Sequence, residues 1–374
     1  MKILVTGGAG FIGSHLVDKL LDRGHEVRIF DNLDPQVHGD GQKIPSYLNR
    51  EAQFILGDIR DREALKRALE DVEAVYHEAS AVGVGQSMYQ IQKYTHVNTL
   101  GTANLLDILV NEKNRVQKLI LASSMSNYGE GKYRCNQCGV VYPRLRSLEQ
   151  LKMCDWEVRC PSCQSSVSSL LTDEEKPLFP TSVYATTKRD QEEMFCEIGL
   201  AYNIPTVVLR YFNVYGPRQA LANPYTGVIA IFSNCILGRQ LPVIFEDGLQ
   251  TRDFTHVQDI VQANLLALEK HKMGVGIFNV GTGRPTNLLQ LFDALRRALS
   301  IPDGEPVGVE GRFRAGDIRH CYADISQIRA GLGFSPQVSL DSGIKDLTDW
   351  LQSQSPSNVA AMAMSELEAK GLVK

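Results

Sequence analysis

The sequence predicts an α/β protein: a doubly wound parallel sheet with a smaller C-terminal lobe and a four-cysteine insertion. Three observations predict it. Short apolar runs alternate with helix-patterned stretches through the first 125 residues. A glycine-rich turn links the first run to its helix, and two Cys-x-x-Cys pairs sit where the alternation stops.

Lys2–Thr6 (KILVT) is a continuous apolar run, the pattern of a strand buried on both faces. Glu26–Phe30, Gln53–Leu56, Ala74–His77, Lys118–Ala122 and Thr206–Arg210 repeat the pattern. Helices are expected at His15–Arg23, where Leu16, Leu20 and Leu21 share a face, and at Arg62–Glu70 and Thr95–Val110. From about 130 to 175 the alternation is interrupted by a segment that reads as an insertion. Beyond 213 come Pro and Gly loops with helices near Gly227–Leu237, Val257–Lys270 and Leu288–Leu299, read as a lobe docked on the sheet. The expected divisions are 1–212, 213–352, with sheet and helices that can interleave between the two, and a tail, 353–374, with an amphipathic stretch at Val359–Lys370.

The 374 residues carry a net charge of −4, which excludes a globally basic nucleic-acid binder. No apolar run approaches the roughly 18 residues of a membrane span. Met1-Lys2 leads straight into the first strand rather than into a signal peptide. A cytoplasmic protein with reduced thiols is expected, without membrane or nucleic-acid partners.

Thr6-Gly7-Gly8-Ala9-Gly10-Phe11-Ile12-Gly13 lies between the first strand and its helix. Gly7, Gly10 and Gly13 permit a tight turn and close approach of backbone to a pyrophosphate, and the helix N-terminus offers free amides. Asp31 follows the second strand, 18 residues past Gly13. A carboxylate there binds a ribose 2′-hydroxyl and repels a 2′-phosphate, selecting NAD over NADP. Asp58-Ile59 after the third strand fits an adenine-edge contact, and His77 reads as structural.

Tyr184 and Lys188 stand at i and i+4, on one helix face. A nearby ammonium and a bound nicotinamide cation can lower a phenol pKa from about 10. The tyrosinate then takes a proton from a substrate hydroxyl while hydride leaves for NAD. Ser124, at the carboxyl end of the fifth strand, faces the ligand crevice and can hydrogen-bond the reacting oxygen.

This combination resembles the extended short-chain dehydrogenase/reductase family, specifically its nucleotide-sugar epimerases and dehydratases, and the fold is then of Rossmann type. The markers are TGGAGFIGSH, Asp31-Asn32, Asp58-Ile59, Asn98 before Gly101-Thr102, Ser124, Tyr184/Lys188, LRYFNVYGPRQ and EDGLQTRDFTHVQD. The resemblance implies that Phe11, Ile12, Asp31, Asn32, Asp58, Ile59, Ala79 and Lys188 contact NAD, with Asn98 shaping the nicotinamide side. It implies that Ser124 and Tyr184 hold the oxidised hydroxyl. Asn213, Arg252, Arg314 and Asp317 would hold the sugar diphosphate, a task that suits guanidinium forks. It also implies a homodimer through helices at about 95–110 and 184–200.

Dehydratases and decarboxylases of the family carry acidic residues in the loop after the catalytic serine; here those positions are Met125 and Ser126. That points to a 4-epimerase passing through a 4-keto sugar. A dehydratase or 4-reductase is the enzymatic alternative, and a non-catalytic NAD-binding protein with an interacting ribbon is an alternative of another class. Asn127, where the family has an apolar residue, and Val82, where some epimerases have a basic one, are departures.

Cys135-x-x-Cys138 and Cys160-x-x-Cys163 fit a zinc ribbon, and four thiolates leave no open position, so the zinc is expected to be structural. Cys154 reads as a bystander. The ribbon is expected to lid the sugar pocket or shape specificity, with Arg144 and Arg146 on its surface. Its sequence, with Tyr128-Gly-Glu-Gly-x-Tyr-x-Cys135 and Asn223-Pro-Tyr-Thr-Gly-Val228, resembles a bacterial subgroup of dTDP-L-rhamnose 4-epimerases.

Overall fold

The computed structural model describes residues 1–220, 223, 227–238, 242–270, 273–301, 308–309, 311–314, 316–354 and 365–373. Residues 224–226 of the Asn223–Val228 motif and 359–364 of the tail lie outside them. Seven parallel strands form the central sheet: β1 (Lys2–Thr6), β2 (Glu26–Asp31), β3 (Gln53–Leu56), β4 (Ala74–His77), β5 (Lys118–Ser124), β6 (Thr206–Tyr211) and β7 (Val275–Val280). Their spatial order is β7-β6-β5-β4-β1-β2-β3. It is the doubly wound, Rossmann-type arrangement, and the order reverses between β1 and β4, where a crevice opens at the carboxyl ends.

Alternate side chains of each strand feed two cores. Ile3, Val5, Ile29, Tyr76, Ile120 and Leu209 pack with Leu16, Val17 and Leu20 of α1 (Phe11–Asp22) and with Ile260 and Val261 of the helix Val257–Glu269. Leu4, Phe30, Val75, Leu119 and Val208 pack on the opposite face with Leu65, Leu105, Leu109 and Phe195. Each fully buried aliphatic side chain stabilises by about 1.5–3 kcal/mol, which is why the runs are apolar throughout rather than alternating.

The structure makes two expectations more specific. Strand β7 lies in the stretch assigned to the second lobe, yet pairs along its length with β6, from Val275↔Thr206 to Val280↔Tyr211. With the helix Val257–Glu269 packed on α1, the chain beyond 212 crosses back into the sheet domain. The helix expected at Thr95–Val110 is a short helix Ile91–Tyr94, a π-helical turn Thr95–Leu100 and α2 (Gly101–Asn111). Wide turns of this kind re-aim a side chain, and here the turn carries Asn98.

The remainder of the lobe has its own core around Phe232, Phe254, Leu291, Phe292, Ile344 and Leu347. The insertion is a three-stranded antiparallel sheet of Lys132–Cys135, Gly139–Val141 and Val167–Leu170. Its main buried cluster is small: Tyr133, Cys135, Val141, Val158 and Cys160. In the tail, Leu367 and Val373 pack with Phe245 and against Tyr89. No described helix is long and apolar enough to cross a membrane.

His77 is buried at the end of β4, its ring nitrogens 2.8 Å from Thr6 Oγ1 and 2.9 Å from Thr102 Oγ1. Burial, with Lys188 nearby, holds its pKa at about 3. The neutral ring is therefore favoured in the folded state, and its stabilisation is complete above the unfolded value near 6.5. It is lost as pH falls from there toward 3. At pH 5 the expected loss is about 2 kcal/mol. Urea unfolding of His77→Gln at pH 7 and pH 5 is expected to show a correspondingly smaller pH dependence than the parent.

Candidate active site

The crevice is a cavity of about 510 Å³ whose wall includes Gly7, Gly10, Phe11, Ile12, Gly13, Asp31, Asn32, Asp58, Ile59, Ala79, Ser124, Tyr184, Lys188 and Asn213. Residues from six strand ends thus meet in one place, in the size range of small-molecule sites.

Gly7 adopts φ 70°, donates to Phe30 O at 2.9 Å and accepts from Gly10 N at 3.1 Å. Gly10 caps α1 without a side-chain bond, so the first-turn amides remain available to an anion. A Cβ on Gly13 would overlap the Gly7 carbonyl oxygen. Overpacking of backbone costs about 1–3 kcal/mol, so Gly13→Ala is expected to weaken dinucleotide binding by about ten- to a hundredfold, measured by fluorescence titration of the stripped protein.

Asp31 accepts from Ala9 N at 3.0 Å and Leu33 N at 2.9 Å, so it holds the glycine loop as well as facing the cavity. Burial raises its pKa against the pull of those bonds. Asp58 is pushed up by burial, but Arg60 and Asn32 hydrogen bonds outweigh this and hold it at about 2, ionised. The glycine cradle, the free helix amides and a 2′-hydroxyl acceptor fit a dinucleotide without a 2′-phosphate.

Ser182 caps α3 (Val183–Ala201) by accepting from Ala185 N, and the helix delivers Tyr184 and Lys188 to the cavity together. Lys188 Nζ donates to Ala122 O at 2.8 Å. Ser124 ends β5 and accepts from Ser126 N at 3.1 Å and Ser126 Oγ at 2.9 Å, so it is both a turn cap and a wall residue. Burial pushes Tyr184 up to about 12, against a hydrogen bond with Ser124. Burial pushes Lys188 down to about 8. The phenol is therefore not lowered by the chain alone: desolvation outweighs the Ser124 hydrogen bond, and the further pull must come from a bound cation.

Asn127 is fully buried and donates to Ser123 Oγ and Glu192 Oε2, each at 3.2 Å. Glu192 pairs with Arg210, which also donates to Tyr128 Oη at 2.7 Å. The asparagine thus bolts the serine loop to α3, which accounts for a polar residue there.

Other residues lie elsewhere than expected. Asn98 is fully buried outside the cavity wall: its amide accepts from Ala81 N at 2.7 Å and donates to Ala81 O and Thr187 Oγ1, so it shapes the wall through Ser80–Ala81. Arg252, Arg314 and Asp317 are not in the wall either. The Arg252 guanidinium is taken up by the carbonyls of Thr251, Ile318 and Arg319 and by Asp317 Oδ1 at 3.0 Å. Arg314 lies over the Phe245 ring, 4.5 Å from its centroid. No residue from 130 to 175 is among those lining this cavity. Arg144 is exposed over Phe179, but Arg146 is buried, not a surface residue. Glu78, half-buried in the wall and pushed up to about 7 by desolvation, was not singled out in the sequence. Its only signal there was a carboxylate at a strand end.

The sulfurs of Cys135, Cys138, Cys160 and Cys163 lie within 4.8 Å of one another, Cys135 and Cys163 at 3.5 Å. Four thiols at that spacing fit a tetrahedral ion with metal–sulfur distances of about 2.3 Å. Cys154 is exposed and outside the cluster.

A glycine loop at a sheet's switch point, with Ser, Tyr and Lys on its far wall, defines a dinucleotide-dependent enzyme acting on a hydroxyl or carbonyl. The profile of the NAD dependent epimerase/dehydratase family matches residues 3–144 and 163–281, and the chain belongs to that family. It is 36% identical over 352 residues to a dTDP-L-rhamnose 4-epimerase of Burkholderia thailandensis, covering 94% of each chain. It is 35% identical to a putative UDP-glucose 4-epimerase of Methanocaldococcus jannaschii, covering 94% of this chain and 98% of that one. Among solved structures, the Thermotoga maritima UDP-glucose 4-epimerase with UDP-glucose superposes with TM-score 0.74 at 33% identity, over 94% of this chain and 99% of that one. The Bacillus cereus UDP-glucuronic acid 4-epimerase with UDP-glucuronic acid and NAD gives TM-score 0.74 at 30% identity, with the same coverage. The relatives are epimerases, and the chain is an enzyme of the isomerase class.

Proposed function

We propose that this isomerase inverts C4 of a nucleotide-diphosphate sugar, and that the sugar nucleotide is dTDP-L-rhamnose. The observation that carries the reaction type is the serine loop. Met125 packs into the sheet core and Ser126 is bonded to Ser124, so neither position offers the acid that elimination of water needs. The 36% identity to a dTDP-L-rhamnose 4-epimerase supports the substrate.

When bound, NAD supplies a hydride acceptor and donor. Gly7, Gly10 and Gly13 would cradle its pyrophosphate, and Asp31 its adenosine ribose, with Phe11, Ile12, Asn32, Asp58, Ile59 and Ala79 around it. Tyr184 takes the C4 hydroxyl proton and returns it to the 4-keto oxygen, Ser124 orients that oxygen, and Lys188 favours the phenolate. Asn213 holds the sugar diphosphate, with Arg252, Arg314 and Asp317 behind it. The four cysteines hold one structural zinc. The chain works as a homodimer through the helices carrying the exposed Leu100 and Leu200. Light scattering is expected to give twice the chain mass.

The test is proton NMR with mass spectrometry on protein given dTDP-L-rhamnose, UDP-glucose and UDP-glucuronate without added cofactor. A mass-neutral C4 epimer from dTDP-L-rhamnose is expected. Loss of water or carbon dioxide overturns the reaction type, and conversion of a UDP sugar alone overturns the substrate.

A further inference from the structure

The insertion does not touch the cavity, yet it is fastened to the lobe by buried charge. Arg146 sets its two terminal nitrogens on the Glu246 carboxylate at 2.8 and 2.9 Å and donates to Asp317 O at 3.2 Å. Both side chains of this pair are at most 3% exposed. Glu157 accepts from Arg319, whose fully buried side chain also meets Glu246 and Asp247. Glu130, at the root of the insertion, accepts from Arg319 N at 2.6 Å and from the Tyr133 hydroxyl at 2.8 Å. The Trp156 ring lies 6.2 Å from that of Phe313. These contacts end on the segment Phe313–His320 or on the Glu246–Asp247 turn beside it.

That segment carries Arg314, whose buried Nε has no hydrogen-bond partner among the described residues. Burial alone disfavours such a cation, and an anionic oxygen is what it lacks. The segment also approaches the chain just before the catalytic helix, because a Cβ on Gly316 would stand 3.5 Å from the carbonyl oxygen of Thr181, the residue preceding the Ser182 cap. From the lobe side, Arg252 holds Asp317 at 3.0 Å.

We propose that Arg146 and Glu157 are positioning residues for the substrate phosphates: they hold the Phe313–His320 segment, and with it Arg314, so that an intact cysteine ribbon tightens nucleoside-diphosphate binding and leaves the chemistry at Tyr184 alone. This rests on the reading of the substrate given above. The ribbon is a brace behind the phosphate site. Its strand Lys132–Cys135 carries both a metal-site cysteine and Tyr133, so the cysteine cluster and the Glu130–Arg319 contact share one strand.

The test uses the full NAD-loaded chain with Arg146→Met and Glu157→Gln, titrated with dTDP alone. Affinity for dTDP is expected to fall roughly tenfold in Arg146→Met, with KM raised alike and kcat within about threefold. Arg146→Lys, which keeps the charge without the fork, is expected to recover part of the loss. Hydrogen exchange at amides 313–314 and 316–320 is expected to speed up in both variants, whatever the substrate is. Unchanged dTDP affinity and unchanged exchange in folded variants overturn the brace. Faster exchange with dTDP that does not bind even the parent overturns the substrate reading instead. If Arg146→Met does not fold, Glu157→Gln decides by the same two readouts, because that carboxylate is 58% exposed and its loss is tolerable.

Discussion

Tyr184→Phe is expected to lower kcat by about 10²–10⁴-fold while KM and bound cofactor change little. The substitution keeps the ring, which is 8% exposed and meets Tyr94 edge-on at 6.4 Å, and removes only the proton acceptor. The expected pH profile follows from the same site. Burial holds the ligand-free phenol at about 12, so at neutral pH it carries its proton until a cation binds beside it. Turnover is therefore expected to rise with pH as the phenolate forms. It is expected to fall again once Lys188, pushed down to about 8, loses its charge. Steady-state rates between pH 6 and 9.5 check both limbs, and Tyr184→Phe abolishes the rising one.

Removal of the metal is expected to have the second large effect. Structural zinc in small ribbons contributes about 10–16 kcal/mol of apparent binding free energy, and here a bound zinc would support a cluster of five buried side chains. Without it the four thiols lose their common partner and the segment has too little apolar surface to order itself. Cys160→Ser, or a strong chelator, is expected to release one zinc per chain and to melt 130–175, seen as lost amide protection there. From 130 to 175 no buried residue belongs to the two sheet cores, and only the partly buried Leu145 packs against one of them, so cofactor retention is expected to persist. Absence of zinc in the purified protein, by elemental analysis, would contradict this.

The parallel strands were legible because strands buried on both faces must be apolar throughout, and the glycine loop because only glycine tolerates the Gly7 and Gly13 geometry. Tyr184 and Lys188 were legible because helix periodicity alone brings i and i+4 together. The four cysteines were legible because a knuckle is a local turn. What escaped depends on partners far along the chain. Strand β7, whose apolar run in the sequence is interrupted by Gly276, is defined by its edge against β6, about 70 residues earlier. Arg146 reads as a surface arginine until Glu246, 100 residues on, is placed beside it. Asn98 owes its position to a π-helical turn that no residue pattern announces.

The central claim is that one carbon gives up a hydride and the same carbon takes it back, with Tyr184 handling the proton. Its most direct measurement is turnover of C4-deuterated dTDP-L-rhamnose in ordinary water, read by NMR. The account predicts that the epimeric product keeps its deuterium at C4. Deuterium washed out to solvent, or moved to another carbon, would contradict it.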